Sequence, residues 1–424
     1  MLTAPDWQAA LYLGGFAGKK PLIPVHFDAM EELVRRKLPV RAFDYLAGGA
    51  GREQTMTTNR SGWEQYRIVP RMLQDVSARE LSVTVFGRRL PLPVLLAPVG
   101  VLELAHPEAD LAAGKAAAAS GIPFIFSNQA SRPMEEVAAA MSDSPRWFQL
   151  YWSKSRELVE SLVTRAEASG CSAIVVTLDT TLLGWRLRDL DHAYLPFLEG
   201  KGIAQYTSDP VFQRMLDEAA FPAVKRKVTL SAVLGLMTLT RRYPGADFFG
   251  KLRSGRPLKA VQQFVRIYSN PALQWDDLAF LRERTRLPVL LKGILHPDDA
   301  RKALDHGIDG LIVSNHGGRQ VDGSVSTAEM LPGVVQAVQG KIPVLVDSGI
   351  RGGADIFKAL ALGASAVCVG RPYAYALALG GQAGVATFLQ HLSADFELTM
   401  ALAGCRSVDE ITRERIVPAP GLSV

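Results

Sequence analysis

The stretch PVLVDSGIRGGADIFKALALGASAVCVGRP, residues 343–372, holds one complete β/α unit and the strand of the next. PVLV is a continuous apolar, β-branched run, the pattern of a parallel strand buried on both faces. It stops at Asp-Ser-Gly. GADIFKALALG (353–363) then spaces its apolar residues as a helix does and ends on Gly363, the residue type that favours a helix C-cap. AVCV begins the next strand and stops at Gly-Arg-Pro.

Working outward, the same punctuation recurs. Eight such runs appear, at 93–100, 124–129, 147–151, 173–179, 288–294, 310–317, 343–350 and 366–372. Ala- and Leu-rich helical stretches lie between them. The starts are 31, 23, 26, 115, 22, 33 and 23 residues apart. Eight β/α units in sequence predict the α/β class and a (β/α)8 TIM barrel. The long interval places an insertion after the fourth strand. The expected organisation is one domain over 1–424: a helical N-terminal cap (1–92), the barrel (93–380) with a lid or insertion (187–275), and C-terminal helices (381–424).

Composition fits this reading. Of 424 residues, 48% are hydrophobic and 21% charged, the balance of a globular chain with a large core. Cys171, Cys368 and Cys405 lie far apart with no CxxC pair, which argues against a zinc ribbon, a redox pair or a disulfide framework. Buried thiols in a reducing cytoplasm are expected, and no metal site. The net charge of +5 is uneven: residues 221–270 hold ten Lys/Arg and one Asp, so this segment carries +9 and the remainder −4. That excludes a nucleic-acid surface running over the whole protein. No Lys/Arg precedes the apolar stretch Ala9–Phe16, so a secretory signal is not expected. The apolar tract Val228–Thr240 has 13 residues, against the ~20 that a membrane span needs. Its setting, KRKVTLSAVLGLMTLTRR (225–242), has two readings. One is a segment lying in a bilayer interface. The other, preferred, is a lid or oligomer contact over the active site.

In this fold the chemistry gathers at the C-terminal strand ends. Here these ends carry Pro98-Val99-Gly100, Ser127-Asn128-Gln129, Gln149 and Tyr151, Thr177 and Asp179, Lys292, Ser314-Asn315-His316, Asp347-Ser348-Gly349 with Arg351, and Gly370-Arg371. The loops after strands seven and eight are the usual phosphate site, and DSGIRGG and VGRP offer glycines and two arginines for an anion. The ligand is therefore expected to be phosphorylated. His316 can accept a proton near neutral pH. Arg319 and Arg186 can clamp a carboxylate. Lys292 has two functional readings: a Schiff-base amine, or a cation that stabilises charge on a cofactor. His106 and His296 open helix-start strings and are read as local caps. No GxGxxG follows a strand. GADFFGKL (245–252) imitates a P-loop, but Leu252 stands where Ser or Thr should bind magnesium.

Taken together, SNHGGRQ (314–320), LLKGI (290–294), FQLY (148–151), TLDT (177–180) and the 347–372 string resemble the FMN-dependent 2-hydroxy-acid oxidase and dehydrogenase family. The likeness runs from about Arg41 to Ile416, interrupted near 210–270. Within the family, YLAGGAG (45–51), VPRML (69–73), APVGV (97–101), GWRLRDL (184–190), YLPFLEG (194–200) and TSDPVFQ (207–213) resemble the lactate monooxygenase branch. Gly100 stands where many oxidases of the family carry Ala. Gln129 stands where glycolate-oxidising members often carry Trp, and the insertion is longer than expected for the monooxygenase branch.

The resemblance implies bound FMN and oxidation of an L-2-hydroxy acid. It implies His316 as base, oriented by Asp179, with Arg319 and Arg186 on the substrate carboxylate and Tyr45 and Tyr151 hydrogen-bonding substrate. Lys292 would sit near the flavin N1 and O2. Pro98, Val99, Gly100, Ser127, Gln149 and Thr177 would touch the flavin ring. Ser314, Asp347, Gly349, Arg351, Gly370 and Arg371 would hold the ribityl chain and phosphate. The monooxygenase branch implies L-lactate and O2 giving acetate, CO2 and water. A peroxide-forming oxidase and a membrane-associated quinone-linked dehydrogenase are the alternatives within the family, and a Schiff-base aldolase the alternative outside it. A cytoplasmic homo-oligomer, tetramer or octamer, is expected.

Overall fold

In the computed structural model, residues 1–219 and 229–419 are described. Lys225, Arg226 and Lys227 of the basic insertion lie outside them. The eight expected strands form: β1 (Val94–Leu96), β2 (Phe124–Phe126), β3 (Arg146–Tyr151), β4 (Ile174–Thr177), β5 (Val289–Ile294), β6 (Gly310–Val313), β7 (Val344–Val346) and β8 (Ala366–Val369). They pair in parallel as one closed barrel, with β8 meeting β1 through Val367 opposite Val94. Alternating side chains divide between two cores. Leu95, Ile125, Trp147, Val175, Leu290, Ile312 and Leu345 point inward, and their neighbours along each strand pack outward on the helices.

The barrel floor holds an element that the sequence reading did not separate from the helical cap. Val83–Val85 and Arg88–Leu90 form an antiparallel hairpin whose Val85 and Leu90 join the inner core. Its two-residue turn, Phe86-Gly87, has φ of 50° and 71°. A primed turn needs positive φ at both positions, for which Asn-Gly is the usual signal. Phe86 is held there by packing on Trp147, ring centroids 5.7 Å apart.

Helices precede the hairpin at Ala4–Phe16, Phe27–Lys37, Val40–Ala47 and Gln54–Glu64. The last element is not wholly helical: Ile416–Pro418 is a short strand paired with Tyr66–Ile68. The helix after β8 runs Arg371–Leu402 and breaks at Gly380 and Gly381, whose dihedrals are non-helical.

The described part of the insertion after β4 is mostly helical. Its Leu230–Arg242 helix packs inward through Leu239, and Arg242 pairs with Glu103. Leu230, Val233, Leu234, Leu236 and Met237 remain exposed. Among the described residues no helix is long and apolar enough to cross a membrane. The P-loop look-alike is a helix start: Asp247 caps Phe248–Ser254. All three cysteines are buried and free.

Candidate active site

A cavity opens at the C-terminal strand ends. Pro98, Val99 and Gly100 line it from β1, Tyr151 from β3, Lys292 from β5, and His316, Gly317 and Arg319 from the loop after β6. Asp347, Gly349 and Arg351 follow β7, and Gly370 and Arg371 follow β8. Tyr45 reaches in from the N-terminal helices and Arg186 from the insertion. Of the expected site residues, Ser127, Gln149, Thr177, Asp179 and Ser314 stand immediately behind this wall rather than in it.

Local geometry explains the placement of the histidine. His316, Gly317 and Gly318 all have positive φ, 58°, 64° and 75°. Only glycine adopts this region without steric cost, so His316 is strained. Side chains fix the turn. Ser314 Oγ accepts from the His316 N–H at 3.0 Å, and Ser348 Oγ accepts from the Gly317 N–H at 2.9 Å. Arg371 donates to the Gly317 carbonyl at 2.8 Å.

His316 Nδ1 lies 2.7 Å from Asp179 Oδ1, with Thr180 Oγ1 at 3.3 Å, which leaves Nε2 for a ligand. Burial pushes the imidazole below its usual value; Asp179 opposes this and Lys292 adds to it. Burial acts to raise the Asp179 carboxyl, but His316 and Lys292 together hold it down at about 2. Asp179 fits because β5 bulges. Gly293, at φ 109°, interrupts the pairing between Lys292 and Ile294, and a Cβ there would come within 2.9 Å of the Asp179 Cβ.

Lys292 Nζ donates to Ser314 Oγ at 2.8 Å and meets Asp347 at 3.1 Å and Asp179 at 3.9 Å. Burial disfavours its charge, but the two carboxylates outweigh burial and raise its pKa. A Schiff base requires the neutral amine, so this environment favours the cationic reading of Lys292.

Four arginines face the cavity. Desolvation pushes Arg319 down to about 9, and Arg186 beside it adds to the shift. Desolvation and Arg371 push Arg351 down to about 10. Among the described residues, Arg319, Arg351 and Arg371 have no carboxylate within 4.0 Å, and Arg186 has only Asp189 at 4.0 Å. Cations held out of water without counter-ions form a site for anions. Their arrangement supplies two: Arg186 with Arg319, and Arg351 with Arg371.

The residues behind the wall test whether FMN fits. Gln149 Oε1 accepts from the Asn128 N–H at 3.0 Å, while Gln149 Nε2 and Thr177 Oγ1 are buried without partners. Such orphaned groups are uncommon in a folded protein and point to a ligand that satisfies them. A Cβ on Gly370 would meet only Val99 and Ala97, at 3.7 and 3.8 Å, so the cavity space it leaves is open to a ligand. Buried polar groups left unpaired and two pairs of arginines suit a flavin mononucleotide.

Gly100 stands against Gln129 across the ends of β1 and β2. A Cβ there would press on Gln129, 3.1 Å from its Cβ. Gln129, at the end of the β2 run, lines the wall, and so do Leu183, Phe197 and Tyr268, to which the sequence assigned no role. Leu183, Phe197 and Tyr268 come from the long interval between β4 and β5, where no strand end announces a site. Thr180 and Gln320 stood inside quoted motifs without a role; Gln320 Nε2 donates to the Asp179 carbonyl at 2.7 Å.

Comparison with known proteins bears on the cavity directly. The family model described as FMN-dependent dehydrogenase matches residues 34–418. An L-lactate oxidase of Lysinibacillus sphaericus is 40% identical over 95% of each chain. A 4-hydroxymandelate oxidase of Amycolatopsis orientalis is 40% identical over 91% of this chain and 96% of that one. The crystal structure of a mandelate oxidase with (S)-4-hydroxymandelic acid superposes with a TM-score of 0.77 at 38% identity, covering 94% of this chain and all of the other.

Proposed function

This chain belongs to the FMN-dependent dehydrogenase family and is an FMN-dependent 2-hydroxy-acid oxidoreductase; within that class we propose that it oxidises short L-2-hydroxy acids, L-lactate among them, with O2. One observation carries this reading: the His316–Asp179 pair at 2.7 Å stands beside two cavity arginines, Arg319 with no carboxylate among the described residues within 4.0 Å and Arg186 with only Asp189 at 4.0 Å.

Arg186 and Arg319 bind the substrate carboxylate, and Tyr45 and Tyr151 hydrogen-bond the substrate. This fixes the substrate hydroxyl and α-carbon toward His316 Nε2. His316 takes the proton there, and Asp179 stabilises the imidazolium that results. Bound FMN would supply the two-electron acceptor that couples this oxidation to oxygen. Gln149, Thr177 and Lys292 would hold its ring, with Lys292 supplying positive charge, and Arg351 and Arg371 its phosphate.

The fate of oxygen divides two readings. If pyruvate stays in the cavity while peroxide forms, the two combine to acetate, CO2 and water. If pyruvate leaves first, pyruvate and peroxide are the products. The likeness of the Gly100 and GWRLRDL strings to the monooxygenase branch supports the first. The second is favoured by relatives named as oxidases, the L-lactate oxidase at 40% identity among them. The test counts peroxide and acetate against oxygen consumed with L-lactate. Acetate without peroxide is the expected result; one peroxide per lactate and no acetate selects the oxidase reading. An absence of flavin bleaching by any 2-hydroxy acid under argon would overturn both.

A further inference from the structure

Gln129 is a polar side chain in the cavity wall that the proposed reaction leaves unused. The residue is 8% exposed and lines the cavity. Its backbone is fixed on both sides: its N–H donates to Ser127 Oγ at 3.1 Å, and its carbonyl accepts from the Val101 N–H at 2.9 Å. Its Cβ is fenced by Gly100, as described above. On the insertion side, a Cβ on Gly202 would lie 3.0 Å from the Gln129 carbonyl oxygen. The carboxamide itself has no hydrogen-bond partner among the described residues, although both its ends can bond. The amide opens on the ligand cavity from a rigid backbone with both its donor and its acceptor free, so a ligand group seated beside it can use them.

We propose that Gln129 reads the substrate's side chain. The preferred substrates are then L-2-hydroxy acids that carry an uncharged hydrogen-bonding group, a hydroxyl, carbonyl or carboxamide, on the carbon next to the hydroxylated one. The inference rests on the 2-hydroxy-acid reading above. An uncharged group follows from the chemistry of the reader, since a carboxamide gives and takes hydrogen bonds but offers no counter-charge. The cations lining the cavity, Arg186, Arg319, Lys292, Arg351 and Arg371, already have anions to hold. L-Lactate fits the same site, but its methyl group leaves the amide unsatisfied.

The test uses two substrates that differ at one place: L-glycerate has a hydroxyl where L-2-hydroxybutyrate has a methyl. Rates of flavin bleaching under argon give kcat/KM for reduction of the FMN-loaded protein. The wild type should favour glycerate about tenfold, the discrimination of one neutral hydrogen bond. Gln129→Leu should abolish that ratio. Gly100→Ala, which displaces Gln129 without altering its chemistry, should lower it. Equal rates in the wild type would overturn the proposal without any variant. So would an unchanged ratio in Gln129→Leu accompanied by a shifted flavin spectrum, because the amide would then be a cofactor contact. Failure of lactate, glycerate and hydroxybutyrate alike to bleach bound FMN is a different result; it removes the 2-hydroxy-acid reading itself.

Discussion

At the floor of the barrel, Val85 and Leu90 of the hairpin pack against Leu95, Trp147 and Ile312. At the other end of the same strands, Gln149 Nε2, Thr177 Oγ1 and Asp179 Oδ2 are buried without hydrogen-bond partners, and His316 sits at φ 58°. One end is apolar and closed. The other holds polar atoms unsatisfied and backbone strained, and three of its arginines lack a close carboxylate. The difference teaches where to look for chemistry in a fold that repeats itself eight times: the end at which local packing rules are broken.

Substitutions at the two ends should fail in opposite ways. The largest expected effect is at the top. His316→Asn should keep FMN and lose about 10²–10⁴ in the rate of flavin bleaching by L-lactate, because Asn cannot accept the proton. Bleaching at wild-type speed would remove His316 from the role of base. At the floor, Trp147→Ala should cost about 3–5 kcal/mol of stability, read from chemical denaturation. The folded fraction should bleach at the wild-type rate. A slow rate in folded Trp147→Ala would mean that the floor is not separate from the site.

Arg351→Met sharpens the contrast further. If Arg351 holds the phosphate as proposed, the change should weaken FMN binding by about 1.5–3 kcal/mol in a fluorescence titration. The protein without FMN should unfold at the same or a higher denaturant concentration, since a desolvated cation has been removed. Equal FMN affinity would move the phosphate elsewhere.

The smallest effect is on pH. Burial lowers the His316 pKa, and the base must be neutral to act, so kcat/KM should rise with pH through a value below that of an ordinary histidine. Asp179 favours the imidazolium. Asp179→Asn should therefore carry this acid limb to still lower pH while reducing the rate. Movement to higher pH would contradict the assigned pair.

The strands and their ends were legible because β/α units repeat a simple pattern of apolar run, polar stop and helix. His316, Arg319, Lys292 and Arg351 all stand at such stops. The Phe86-Gly87 turn was not legible, because tertiary packing on Trp147, rather than an Asn or Asp, holds Phe86 at positive φ. Tyr268 and Phe197 were hidden for another reason. They reach the cavity from an insertion whose helical pattern says nothing about where it folds back. At Gly100 the missing Cβ makes room for the Gln129 side chain, a contact between two strand ends that no local pattern encodes.

The left-handed turn at His316 carries a consequence for the protein's history under selection. Asn tolerates that backbone better than His, and Gly better still. The change predicted to abolish catalysis should thus relieve that backbone strain, offsetting the loss of the His316 contact with Asp179. A screen that rewards heat resistance alone would drift toward inactive protein at this position. Retention of histidine against that backbone preference is the mark expected of selection for turnover, which would make residue 316 a recorder of whether a lineage still uses the reaction.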